Sequence, residues 1–156
     1  MSIKTFDLAT AVRFASYGNL EAWIMAYLTH DSPNSGLIYH LQTHPHWWRG
    51  PLELPLKRLT RCCGPEIGMK YRTSWVDWEI TIPKMVAGLT DVRALPPLIV
   101  EYDAGRYLIH DGNHRYEAMG RKRWPTAWVV IWYNSAADYE ADGADDFLAH
   151  FDALKW

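Results

Sequence analysis

Ile109-His110-Asp111-Gly112-Asn113-His114-Arg115-Tyr116-Glu117-Ala118 joins an apolar run to a helical one. Upstream, Pro97-Leu98-Ile99-Val100 and Tyr107-Leu108-Ile109 read as strands. Downstream, Tyr116, Ala118 and Met119 begin a short helix with Gly120 as its stop. A strand that turns at a glycine and opens a helix leaves the first N–H groups of that helix unpaired and pointing outward. Together with the positive end of the helix dipole they make a ready anion site. Asp111, Asn113, His114 and Arg115 set four polar side chains around that point, where a helix cap needs one. The stretch reads as a phosphate site with chemistry attached.

Working outward, Leu98 to Glu101 and Arg106 to Ile109 form a hairpin around Asp103-Ala104-Gly105, with Gly105 supplying a positive φ. Ala127 to Tyr133 is an unbroken apolar run, as expected of a strand covered on both faces. Leu52, Leu54 and Leu56 alternate with Pro51 and Pro55 between them, which predicts an edge strand. Residues 60 to 74 lack periodicity and predict a long loop; Arg61, Lys70 and Arg72 give it positive charge suited to closing over a ligand. Thr81 is expected to cap a helix with Pro83 in its first turn and Met85, Val86 and Leu89 on its inner face.

The first fifty residues read as three helices. Asp7 caps the first, with Leu8, Ala11, Val12 and Ala15 inside and Gly18 as its stop. Asn19 is expected to cap the second, whose Leu20, Trp23, Ile24, Tyr27 and Leu28 form one apolar stripe. After Ser32-Pro33-Asn34-Ser35-Gly36, a third carries Leu37, Ile38 and Leu41 and ends at Pro45. The tail from Ala136 is acidic and amphipathic, with Phe147, Leu148, Phe151 and Leu154 on one side. The expected layout is a helical extension (1–50), a core (51–134) and a C-terminal helix (135–156) in one compact domain.

Composition narrows the function classes. The chain has 156 residues, 49% of them apolar, with nine Trp, which argues against disorder. A formal charge of -2 supplies no global field for a nucleic-acid backbone. Cys62 and Cys63, the only cysteines, are neighbours and build no disulfide framework; they read as small buried side chains. No apolar run approaches the ~20 residues of a membrane span, and the N-terminus lacks a leader profile, so a cytoplasmic location is expected. His40 and His44 stand one helical turn apart, but no Cys, Asp or Glu lies close in sequence to complete a metal set. The tryptophans, including Trp75, Trp78, Trp124, Trp128 and Trp132, are expected mostly in the core.

The order of these elements, with the Asp111-Gly112-Asn113-His114-Arg115-Tyr116-Glu117-Ala118 box, resembles the ParB/sulfiredoxin superfamily over roughly residues 51 to 134. The resemblance implies an α+β fold, a small mixed sheet with helices, to which the three N-terminal helices are an extension. Within that family the box discriminates. Sulfiredoxins carry a reactive cysteine where this chain has Asn113, so their thiol chemistry is not expected here. Asn113 and His114 depart from the Gly-Glu-Arg-Arg box with which chromosome-partitioning ParB proteins bind CTP, and a helix-turn-helix domain is not expected in the residues after the core. A centromere-binding role is therefore not expected.

The free-serine-kinase branch, with an Asp-Gly-x-His-Arg box and an upstream glutamate, is nearest. That resemblance implies Glu79 as general base, with Asp77 as the alternative, and Asp111 assisting the acceptor or a metal. His114 joins the catalytic set, while Gly112, Asn113, His114 and Arg115 hold phosphates; Lys70 and Arg72 come from the basic loop. The implied cofactors are ATP or ADP (or another nucleotide) and Mg²⁺, the implied partner a small-molecule acceptor, and the implied activity that of a phosphotransferase. Phosphoryl transfer needs positioning and charge neutralisation more than covalent help. The alternatives are a non-catalytic nucleotide-binding regulatory module and, disfavoured by charge, a ParB-like nuclease or DNA-associated protein.

Overall fold

A computed structural model describes residues 3–142. The tail positions Phe147, Leu148, Phe151 and Leu154 lie outside the described residues. The chain runs α1 (Leu8–Ser16), α2 (Leu20–His30), α3 (Ser35–Thr43), β1 (Trp47–Pro55), β2 (Leu59–Arg61), β3 (Cys63–Gly64), β4 (Tyr71–Arg72), α4 (Trp75–Gly88), β5 (Leu98–Asp103), β6 (Arg106–Asp111), α5 (Asn113–Arg121), β7 (Thr126–Tyr133) and α6 (Ala136–Ala141). Five strands form a mixed sheet in the order β1-β7-β5-β6-β2, antiparallel at β1/β7 and β5/β6 and parallel at β7/β5 and β6/β2. The architecture is α+β. β1 lies at an edge, where Pro51 and Pro55 cost no ladder bonds to a second neighbour.

The apolar run of β7 is buried because both faces of the sheet are covered. Ala127, Val129, Ile131 and Tyr133 join one core with Trp78, Ile82, Leu98, Val100, Ile109, Ala118 and Met119. Val130 and Trp132 point into the other, with Ile99 and the N-terminal helices through Ala11, Trp23, Ile24, Leu28, Leu37 and Leu41. The alternation of side chains along a strand divides them in this way. The stripe predicted for α2 is buried along its whole length: Leu20, Trp23, Ile24, Tyr27 and Leu28. The hairpin turn puts both Ala104 (φ 50) and Gly105 (φ 84) in the left-handed region, as a two-residue turn with the strand twist requires.

Local chemistry decides the helix boundaries. Asp7 caps α1 through the Thr10 N–H, and Thr10 bonds back to the Asp7 N–H. Asn19 precedes α2 but makes no side-chain cap bond, so that expectation fails; Asn34 caps α3 through the Leu37 N–H. The helix expected from Thr81 begins seven residues earlier: Ser74 caps it, and Pro83 sits inside α4 rather than in its first turn. Burial of Trp78 and Ile82 outweighs the hydrogen bond that the proline removes. Gly120 does not stop α5, which continues to Arg121. Residues 60–74 are not a plain loop, since β2 adds in parallel to β6 and β3 pairs with β4. Trp75 is 55% exposed, unlike the core role expected of it.

Candidate functional site

Gly112 has φ 103, so the chain turns there in a conformation that side chains rarely adopt. A Cβ at this position would stand 2.3 Å from Leu98 Cδ2 and 3.0 Å from Arg115 Nη2. The turn lets β6 pass directly into α5, and no side chain caps the helix. The amides of Asn113, His114 and Arg115 therefore open the helix without intrahelical acceptors. Asp111, Gly112, Asn113 and His114 line a cavity of about 640 Å³, together with Lys70, Glu101, His110 and Trp132. Asn34, Gly36, Leu37 and His40 complete one wall, so the N-terminal helices help to build the site.

The box residues have three different occupations. Asn113 is 6% exposed, and its Oδ1 accepts from the backbone N–H groups of Cys62 (2.8 Å) and Cys63 (3.2 Å). Its Nδ2 donates to the Ile109 carbonyl. The expected phosphate ligand is thus a clip that fastens the β2–β3 segment to the start of α5. Arg115 turns inward. Its guanidinium donates to the Pro96 carbonyl, to the Tyr27 hydroxyl (3.1 Å) and to Asp111 Oδ2 (3.0 Å). The Arg115 side chain expected to grip phosphate is therefore spent on the fold. His114 lines the cavity, its ring 4.9 Å from that of Trp78. Burial and the Arg61 guanidinium hold its imidazole below the ordinary 6.5.

Asp111 accepts from the Tyr27 hydroxyl (2.8 Å) and, on its other oxygen, from Ser32 (2.9 Å), besides Arg115. This network ties α2 and the turn after it to the end of β6. Burial pushes the Tyr27 phenol well above its ordinary value, so it remains a donor. Asp111 also lines the cavity, its two oxygens already accepting these three hydrogen bonds. Among the described residues no group of three or more His, Cys, Asp or Glu stands ready for a metal.

Glu79 is not brought to the cavity. It lies in the second turn of α4, and its exposed carboxylate pairs with Arg121 at 2.7 Å on the outer face of α4 and α5. Burial of Trp78 and Ile82 on the inner side of α4 leaves Glu79 exposed on the other side. Asp77 is exposed in the first turn and is likewise absent from the cavity wall. Of the three basic side chains of segment 60–74 only Lys70 lines the cavity, with Cys63 and Tyr71 beside it. Arg61 pairs with Glu66 at 2.5 Å, its guanidinium 4.8 Å from the Trp78 ring, and Arg72 donates to the Pro65 carbonyl. His40 and His44 stack at 4.4 Å, and His46 pairs with Glu21.

Sequence reasoning missed Glu101, His110, Trp132 and Asn34 as site residues. His110 was in view, one place before the aspartate, but its facing partner sits across a strand pair and only the hairpin register brings it near. Cys62 is buried and Cys63 half-buried; burial pushes both thiols up, which makes them poor nucleophiles.

No protein-family model matches the chain, and no curated protein does. Among solved structures it is similar to the crystal structure of sulfiredoxin from Arabidopsis thaliana, at 22% identity and a TM-score of 0.37, over 55% of this chain and 84% of that one. It is similar also to a C-terminally truncated chromosome-partitioning protein ParB from Caulobacter crescentus, complexed with CTP-gamma-S, at 21% identity and a TM-score of 0.35. That match covers 65% of this chain and 53% of the other, so the chain spans about half the length of that ParB. A Pnob8-like ParB-N domain matches at 15% identity with a TM-score of 0.30, over 71% of this chain and 38% of that one.

Proposed function

We propose that the protein binds a nucleotide or phosphorylated small molecule, with phosphate seated on the N-terminus of α5, and transfers a phosphoryl group to a small hydroxyl acceptor. One observation carries the binding step: the uncapped start of α5 opens into a cavity of about 640 Å³ that Lys70 also lines. Backbone N–H groups and a helix dipole favour an anion there, and the volume lies in the range of small-molecule sites. With the Asn113 and Arg115 side chains committed to the fold, backbone amides, His114 and Lys70 are left to meet the phosphates. The reaction class is the one the box resemblance implies.

A non-catalytic nucleotide-binding module is the second reading, favoured by the engagement of Asp111 and by the position of Glu79 outside the cavity. Thermal unfolding with ATP, ADP, CTP and inorganic phosphate, each with and without Mg²⁺, tests the shared binding step. A ligand at about 100 times its Kd stabilises by roughly 2.7 kcal/mol. Lys70→Ala is expected to weaken the effect. Absence of any shift at millimolar nucleotide would remove both readings, whereas a shift without transfer to any hydroxyl selects the second.

A further inference from the structure

The same cavity holds a pair of side chains to which the box assigns no role. Nε2 of His110 lies 2.9 Å from Glu101 Oε1. The other Glu101 oxygen accepts from Asn134 Nδ2 at 2.8 Å, and Asn134 Oδ1 in turn accepts from the Trp132 indole N–H. The His110 ring packs against that of Trp132, with centroids 4.6 Å apart. The two side chains are only 12% and 20% exposed, and both line the cavity beside Gly112 and His114. Two neighbours thus fix the imidazole, a carboxylate on one nitrogen and a tilted indole against the ring, and Asn134 holds the carboxylate in turn.

This is the arrangement of an oriented base. A carboxylate accepting from Nε2–H sets the tautomer with its lone pair on Nδ1 and stabilises the imidazolium once Nδ1 takes a proton. Among the described residues Nδ1 of His110 has no hydrogen-bond partner. Glu101 is suited to the part, because its hydrogen bond with His110 holds the carboxyl below the ordinary 4.5. We propose that His110, oriented by Glu101 and Asn134, is the general base that activates the acceptor hydroxyl in this cavity, in place of Glu79. This inference rests on the phosphotransferase reading above.

The co-reactants are a nucleoside triphosphate and a small molecule bearing a hydroxyl. The acceptor O–H bond breaks and its proton passes to Nδ1 of His110, while the acceptor oxygen bonds to the terminal phosphorus. The bond from that phosphorus to the bridging oxygen breaks, and its electron pair leaves on the nucleoside diphosphate. The imidazolium then returns its proton to solvent. Glu101 and Asn134 touch no reacting atom and act as positioning residues.

ATP labelled at its terminal phosphate, with Mg²⁺ and a mixture of serine, threonine, glycerol and ribose, tests the assignment. The wild type is expected to label a hydroxyl compound. His110→Ala should lower kcat by on the order of 10²-fold or more, with KM for ATP little changed, and added imidazole should restore part of it. Glu101→Gln should lower kcat in the same manner, and His110→Gln serves if the alanine variant does not fold. A folded His110 variant that keeps its kcat, or loses only KM, overturns the proposal, as does a Glu79→Gln variant that alone abolishes transfer. ATP binding without transfer by the wild type removes the base and the phosphotransferase reading but leaves the anion site standing. Failure to bind ATP, ADP, CTP and inorganic phosphate alike removes the site itself.

Discussion

Asn113→Ala separates a structural from a ligand-binding role at the centre of the box. In the fold, the Asn113 amide makes three hydrogen bonds: from Cys62 N–H, from Cys63 N–H and to the Ile109 carbonyl. Truncation leaves two N–H groups and a carbonyl without this partner, at a position only 6% exposed. Each such bond contributes about 1 kcal/mol net, and a buried donor left unmade costs about 1–3 kcal/mol. A loss of about 3–4 kcal/mol is therefore expected, partly relieved if water enters beside half-buried Cys63. For a domain of this size that lowers Tm by roughly 10 °C. Urea unfolding measures the loss, and amide exchange at Cys62 and Cys63 locates it, since both should exchange faster in the variant. The backbone N–H of residue 113 survives the substitution, so the anion site keeps that donor. Were Asn113 instead a phosphate ligand, stability would hardly move and nucleotide affinity would fall. A loss under about 1 kcal/mol, with unchanged exchange at the two cysteines, refutes the clip.

Gly112→Ala should destabilise by about 2–4 kcal/mol, from the positive φ and from overpacking, because its Cβ meets buried Leu98 at 2.3 Å; chemical denaturation within about 1 kcal/mol of wild type would contradict that geometry. His114 supplies a pH test. Its imidazole is held below the ordinary 6.5 by burial and Arg61, so the unfolded chain takes up the proton first. Its contribution to stability is complete above pH 6.5 and is lost as pH falls through the lower value in the fold. His40 shifts in the same direction, chiefly through burial. His114→Gln should therefore flatten the acid side of a stability–pH curve without abolishing its slope, and an unchanged curve counts against the burial of the ring.

Local chemistry made much of the chain legible without coordinates. The apolar run 127–133, the hairpin at Ala104-Gly105, the α2 stripe and the turn at Gly112 each depend on residues near one another in sequence, and each is found in the fold. The misplaced features are those in which distant burial outweighs a local signal. Trp78 and Ile82 pull α4 through Pro83, and β6 lends an edge to β2 in the segment read as a loop. The box itself shows the division most plainly. Its sequence determines that a helix opens at a glycine turn with unpaired amides, because that follows from the backbone alone. Which of its side chains face a ligand depends on what packs around them. Tyr27 and Ser32, some eighty residues away, engage Asp111 at the cavity wall, Arg115 joins that network, and Cys62 and Cys63 claim Asn113. Buried polar groups must find partners, and only the tertiary structure decides which partners they find. The same packing leaves His110 and Glu101 lining the cavity wall.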